Sequence, residues 1–172
     1  MPIAGTKTVI MCAMLLIAAA MDVARGRIPN ALTVPCALVG LALGAADAEL
    51  AGLGASLAGI FAGLALWFVA PFIGNVLGGG DVKLLAAVGA LQGPVFVLHT
   101  LALTAAWGGL LAVCCAAGRR KLLQCCRNLG RWLYLRSVWR SDVPLETAGG
   151  SPRLPFAVAI ALGAVTALCV VS

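Results

Sequence analysis

Two acidic residues stand apart from the rest of this chain by their position. Asp22 closes an apolar run at residues 8–21, and Asp81 follows Gly78-Gly79-Gly80 at the start of another. The other acids, Asp47, Glu49, Asp142 and Glu146, fall in polar connections or among basic residues and read as solvated. A carboxylate at the edge of an apolar segment is costly and usually marks a functional site. Two carboxylates in one confined place cannot both ionise easily, so one keeps a proton and the pair serves as base and acid together. The base takes a proton from water, and the acid protonates the carbonyl oxygen under attack and later the leaving group. This chemistry needs no metal, no cofactor and no nucleophilic side chain. The seven cysteines include no C-x-x-C pair, and only His99 could join them in a ligand set, so no metal site is expected. They read as small apolar fillers.

The elements that must position these acids follow from composition. The chain has 172 residues, of which 62% are hydrophobic and 10% charged, with 21 glycines besides. A soluble domain is about 45–50% apolar and about 25% charged. A water-soluble globule and a disordered chain are both excluded. Apolar runs at 8–21, 31–46, 51–73, 75–92, 95–117 and 154–171 predict an all-α, polytopic membrane protein. At about 20 residues per span, there is room for about six transmembrane helices in a single domain, 1–172. The first run is preceded by Lys7 alone and followed by Arg25 and Arg27, the reverse of a secretory signal. Gly40-x-x-x-Gly44, Gly59-x-x-x-Gly63 and Gly89-x-x-x-Gly93 offer small faces for close helix packing.

Charge sets the orientation. Arg25, Arg27, Lys83, seven cations between Arg119 and Arg140, and Arg153 fall on one side of such a topology, while Lys7 falls on the other. The positive-inside rule then makes the loops after spans one, three and five cytoplasmic and places both termini outside. Trp67 and Phe72 fit an interfacial aromatic belt at the inner end of span three. Within the basic cytoplasmic loop 118–151, Leu122, Cys126, Leu129 and Leu133 follow helical spacing. This predicts an amphipathic segment on an anionic inner leaflet, with no nucleic-acid partner required.

Helix length places Asp81 in depth. The stretch 84–91 makes only about 12 Å of helix, against a hydrocarbon core about 30 Å thick. Asp81 is therefore expected below the headgroups. A salt bridge, Asp81 with Lys83 or Asp22 with Arg25, would be the purely structural use of these acids. Three glycines before Asp81 permit close backbone approach, as a site for an extended peptide requires.

The sequence Gly78-Gly79-Gly80-Asp81-Val82-Lys83-Leu84 resembles the G-x-G-D-x-K signature of the type IV prepilin peptidases, which are aspartic membrane proteases. The stretch Asp22-Val23-Ala24-Arg25-Gly26-Arg27-Ile28-Pro29-Asn30 resembles the family's first-aspartate segment, and Leu154-Pro155-Phe156-Ala157 a third, weaker landmark. The resemblance implies Asp22 and Asp81 as the catalytic pair, with Gly78, Gly80 and Lys83 in the motif and Pro29 and Asn30 in support. It implies an endopeptidase of the bacterial inner membrane that removes the leader of prepilins or pseudopilins at the cytoplasmic face. Many full-length relatives carry paired C-x-x-C motifs linked to N-methylation. This chain has none, so it is similar to the short, cleavage-only form of tight-adherence pilus systems, and methyltransferase activity is not expected. From the residues alone, Asn30 reads as a helix N-cap, and Lys83 as an interfacial anchor or an electrostatic partner of the acids. A different function, a proton-coupled transporter or assembly subunit using the acids as a relay, would need a polar path across the bilayer. The outer half offers only scattered Ser, Thr and His99.

Overall fold

The computed structural model describes residues 2–73, 78–118 and 156–171, and its regular structure there is helical throughout. The helices are α1 (Pro2–Arg25), α2 (Asn30–Ile73), α3 (Gly79–Gln92), α4 (Pro94–Gly118) and α5 (Phe156–Val171). Among the described residues, three segments are long and apolar enough to cross a membrane: Ile3–Arg25, Asn30–Phe68 and Pro94–Cys114. The helix at Phe156–Val170 is apolar but shorter.

Helix α1 stops where glycine allows it. Gly26 adopts φ 63, and its N–H donates to the Asp22 carbonyl at 2.8 Å, closing the last turn with a left-handed residue. Arg25 complements the carboxyl end of the helix dipole. Arg27, Ile28 and Pro29 then carry the chain to α2, whose first turn is closed by Leu32 N–H donating to the Pro29 carbonyl at 3.1 Å.

Helix α2 is two limbs joined by a reversal. Ala48 (φ −143, ψ 35) and Glu49 (φ 46, ψ −122) leave helical geometry. Beyond them the chain folds back, so that Ser56 Oγ donates to the Gly40 carbonyl at 3.4 Å and Gly52 lies against Gly44. The break falls between the runs 31–46 and 51–73, where Asp47 and Glu49 interrupt the apolar pattern.

Helix α3 lies against both limbs and is buried along most of its length. On the first limb, Gly40 meets Ala90. On the second, Gly59 meets Gly89, and Gly63 meets Leu85 and Ala86. A Cβ at Gly63 would stand 2.5 Å from the Ala86 nitrogen, and one at Gly59 would fall on the Gly89 carbonyl. Only glycine lets these backbones touch, which is how small residues draw membrane helices together. The expected glycine faces are used with one exception. Gly93 does not pack but ends α3, with φ 88 and its N–H donating to the Gly89 carbonyl at 2.8 Å.

Leu84, Leu85, Ala87, Val88 and Leu91 of α3 form one core with Met11, Met14, Leu15 and Ala18 of α1 and Ala157, Ile160, Ala164 and Ala167 of α5. Outside it, Val9, Leu16, Val23, Phe61 and Phe68 are exposed, an apolar exterior suited to lipid. In lipid, tails are as apolar as these side chains, so the core is held by dispersion and close fit. Residues Met1–Gly108 with Pro155–Ser172 form one compact unit, and Gly109–Leu154 a second. In the second unit, the described residues 109–118 continue α4. The amphipathic segment expected at 119–140, the rest of the basic loop, and Leu154-Pro155 lie outside the described residues.

Candidate active site

Asp81 is placed by the start of its own helix. Gly78 is extended (φ −72, ψ 150), and the chain turns helical at Gly79. The Asp81 N–H donates to the Gly78 carbonyl at 3.0 Å, and the Gly78 N–H donates to Asp81 Oδ2 at 3.1 Å. The carboxylate thus caps the helix that carries it, at the end where the dipole favours an anion. It is only 8% exposed.

Each of the three preceding glycines clears a different neighbour. A Cβ at Gly78 would stand 3.2 Å from Asp81 Oδ2. At Gly79 it would meet the Trp67 ring at 3.2 Å, and at Gly80 the Ile28 Cβ at 3.2 Å. Gly80 is therefore glycine for the sake of the protein's own Ile28, while Gly78 and Gly79 are exposed.

Asp22 is half-buried in the last turn of α1. Its Oδ2 accepts the Ala157 N–H, in the first turn of α5, at 3.0 Å. Both carboxylates therefore rest on helix amino termini, one its own and one distant in sequence. Helix α1 runs antiparallel to α3, with Thr8 beside Gln92 at one end. The other end holds the last turn of α1, with Asp22, and the first turn of α3, with Asp81.

The nearby cation is turned elsewhere. Lys83 Nζ donates to Asn30 Oδ1 at 3.0 Å, joining the first turns of α3 and α2. Asn30 is therefore not the side-chain cap its type suggested, because its oxygen is engaged by Lys83 and the Pro29 carbonyl closes the turn. Among the described residues the ion pair is Lys7 with Asp47, at 2.9 Å, and neither Asp81–Lys83 nor Asp22–Arg25 forms one. No group of three or more His, Cys, Asp or Glu residues that could hold a metal occurs among the described residues.

The sequence profile of the type IV leader peptidase family matches residues 9–113, a stretch that includes both acids and the whole Gly78–Lys83 motif. The chain belongs to the type IV leader peptidase family. It is a membrane peptidase, and its substrates are of the prepilin type in general. No curated protein and no solved structure matches the chain.

Three groups at the peptidase's candidate site carried little signal in sequence. Ile28 beneath Gly80 and Trp67 against Gly79 belong to distant turns whose contact no spacing reveals. The Ala157 N–H is a backbone donor, which no side-chain pattern marks, although Ala157 lies in the Leu154-Pro155-Phe156-Ala157 landmark.

Proposed function

We propose that Asp22 and Asp81 are the catalytic pair and that the peptidase removes the leader of prepilins or pseudopilins at the cytoplasmic membrane face. The observation that carries this reading is the pair's arrangement. The two acids share one end of the helical unit, each carboxylate accepts a backbone N–H through Oδ2, and neither is paired with a cation among the described residues. The second oxygen of each remains available to water and substrate. One carboxylate takes a proton from water, which attacks the peptide carbonyl, while the other, protonated, gives its proton to the carbonyl oxygen; as the tetrahedral diol collapses and the C–N bond breaks, the first passes the proton it took from water to the leaving amine and the second recovers its own from the diol hydroxyl. Exposed Gly78 and Gly79 offer a flat approach for an extended substrate backbone.

The same reading gives one peptidase domain with six spans: α1, the two limbs of α2, α3, α4 and α5. The site end, with Arg25, Arg27 and Lys83, faces the cytoplasm of a bacterial inner membrane, and both termini face out. No C-x-x-C motif supports N-methylation. Co-expression with candidate prepilins, reading leader removal by gel shift, tests the function. Leader removal that survives Asp22→Asn or Asp81→Asn at near-normal rate overturns the mechanism. Reporter fusions near Arg27 and Arg127 should report inside, and fusions near Asp47, Gln92 and Ser172 outside. An outside signal at Arg27 would invert the topology.

A further inference from the structure

The two acids differ in what holds them. Asp81 is fixed locally, by an N–H three residues away, and its position is set once α3 forms. Asp22 is fixed by an N–H 135 residues away, on α5. That helix lies beyond residues 9–113, the stretch matched by the family profile. Yet α5 is built into the core beside Asp22. Ala157 is fully buried, and Ile160, Ala164 and Ala167 pack with Met11, Met14, Leu15 and Ala18 of α1. Ala157 is one of the first residues of its helix, so its N–H has no partner within the helix and is open to an external acceptor. A carboxylate is the acceptor such a terminus favours most.

We propose that Ala157 is a positioning residue for leader cleavage, acting through its backbone N–H, and that docking of α5 is what turns Asp22 into its working orientation. The inference rests on the assignment of Asp22 to the catalytic pair. With Oδ2 engaged by Ala157, rotation of the carboxylate is restrained and Oδ1 is left for the reaction. The side chain at 157 contributes only its small size. Catalytic competence therefore depends on an element encoded after the long basic loop, although both acids precede that loop.

The test separates this inference from the reading beneath it. Ala157→Pro deletes the N–H at a first-turn position, where proline is tolerated. It is expected to lower kcat on a prepilin substrate by about a hundred-fold, the scale of a small misplacement of a reacting group, with KM changed less than about two-fold, as for an interaction made in the transition state. The conservative variant Ala157→Gly keeps the N–H and should restore kcat. A second measurement does not depend on how the proline variant folds. In protein labelled with 15N-alanine, the Ala157 amide resonance should move in Asp22→Asn, which replaces its charged acceptor, and stay in place in Asp81→Asn. An amide that ignores Asp22→Asn, or follows Asp81 alone, overturns the positioning role, as does wild-type kcat in a folded Ala157→Pro. Full cleavage by Asp22→Asn would instead sink the catalytic assignment itself.

Discussion

The two ends of the helical unit treat charge in opposite ways. At the end holding Thr8 and Gln92, polar side chains satisfy one another: Lys7 donates to Asp47 at 2.9 Å and Gln92 to Thr8 at 3.0 Å. At the end holding the acids, both carboxylates receive backbone N–H groups, and the closest motif cation, Lys83, is diverted to Asn30. A side-chain ion pair ties helices together and uses the charge in doing so. A backbone donor orients a carboxylate and leaves it an oxygen with which to react. The first arrangement is that of a fastening and the second that of a tool.

This contrast can be broken most severely at the acids. Asp81→Asn and Asp22→Asn should each reduce leader cleavage by at least about 10²–10⁴-fold, the usual contribution of a positioned acid or base, with membrane insertion intact on fractionation. Next comes the support beneath Asp81. Gly59→Leu would drive a side chain into the Gly89 carbonyl. Overpacking of this kind costs about 1–3 kcal/mol or more, so the detergent-solubilised protein should unfold at a clearly lower temperature and lose activity with it. Gly80→Val should be milder in stability, because the first neighbour it meets is the Ile28 side chain. Its mark should be on cleavage, through displacement of the turn that carries Asp81. A smaller effect is expected at Lys83→Met. The Lys83–Asn30 bond is exposed, and exposed polar links of this kind are worth about 0.2–1 kcal/mol. Cleavage should fall by no more than about five-fold, and Lys83→Arg should recover part of it. The smallest effect belongs to the opposite end. Lys7→Met should leave the kinetics of cleavage unaltered, and a loss comparable to that of Lys83→Met would erase the distinction between the two ends.

Much of the helical plan was legible because it is written in local pattern. The break between the runs 31–46 and 51–73 is visible as Asp47 and Glu49, and the chain reverses there. The glycine pairs at Gly40/Gly44 and Gly59/Gly63 announced close contacts, though not their partners, since spacing states that a face is small and not what it meets. Gly93 shows the converse: the same spacing served to stop a helix beside Pro94. Asp22 and Asp81 were legible as acids at the rims of apolar runs. What holds each acid was not. Gly78 to Asp81 is a local bond that a capping pattern could suggest, whereas Ala157 to Asp22 joins a backbone atom to a side chain across 135 residues, and backbone donors leave no mark in sequence.

The sheathing of α3 has a consequence for the peptidase's relation to its membrane. At 14 residues α3 is about 21 Å long, shorter than a hydrocarbon core of about 30 Å. A lipid-facing helix that short would suffer hydrophobic mismatch, and would tilt or pinch the bilayer to relieve it. Helix α3 meets the two limbs of α2, α1 and α5 instead. Its vertical register is set by glycine contacts with its neighbours, not by acyl-chain length. With α3 as one of the six proposed spans, the depth of Asp81 is insulated from bilayer thickness. A leader presented at a fixed height should be cut at the same bond in thin and thick membranes alike.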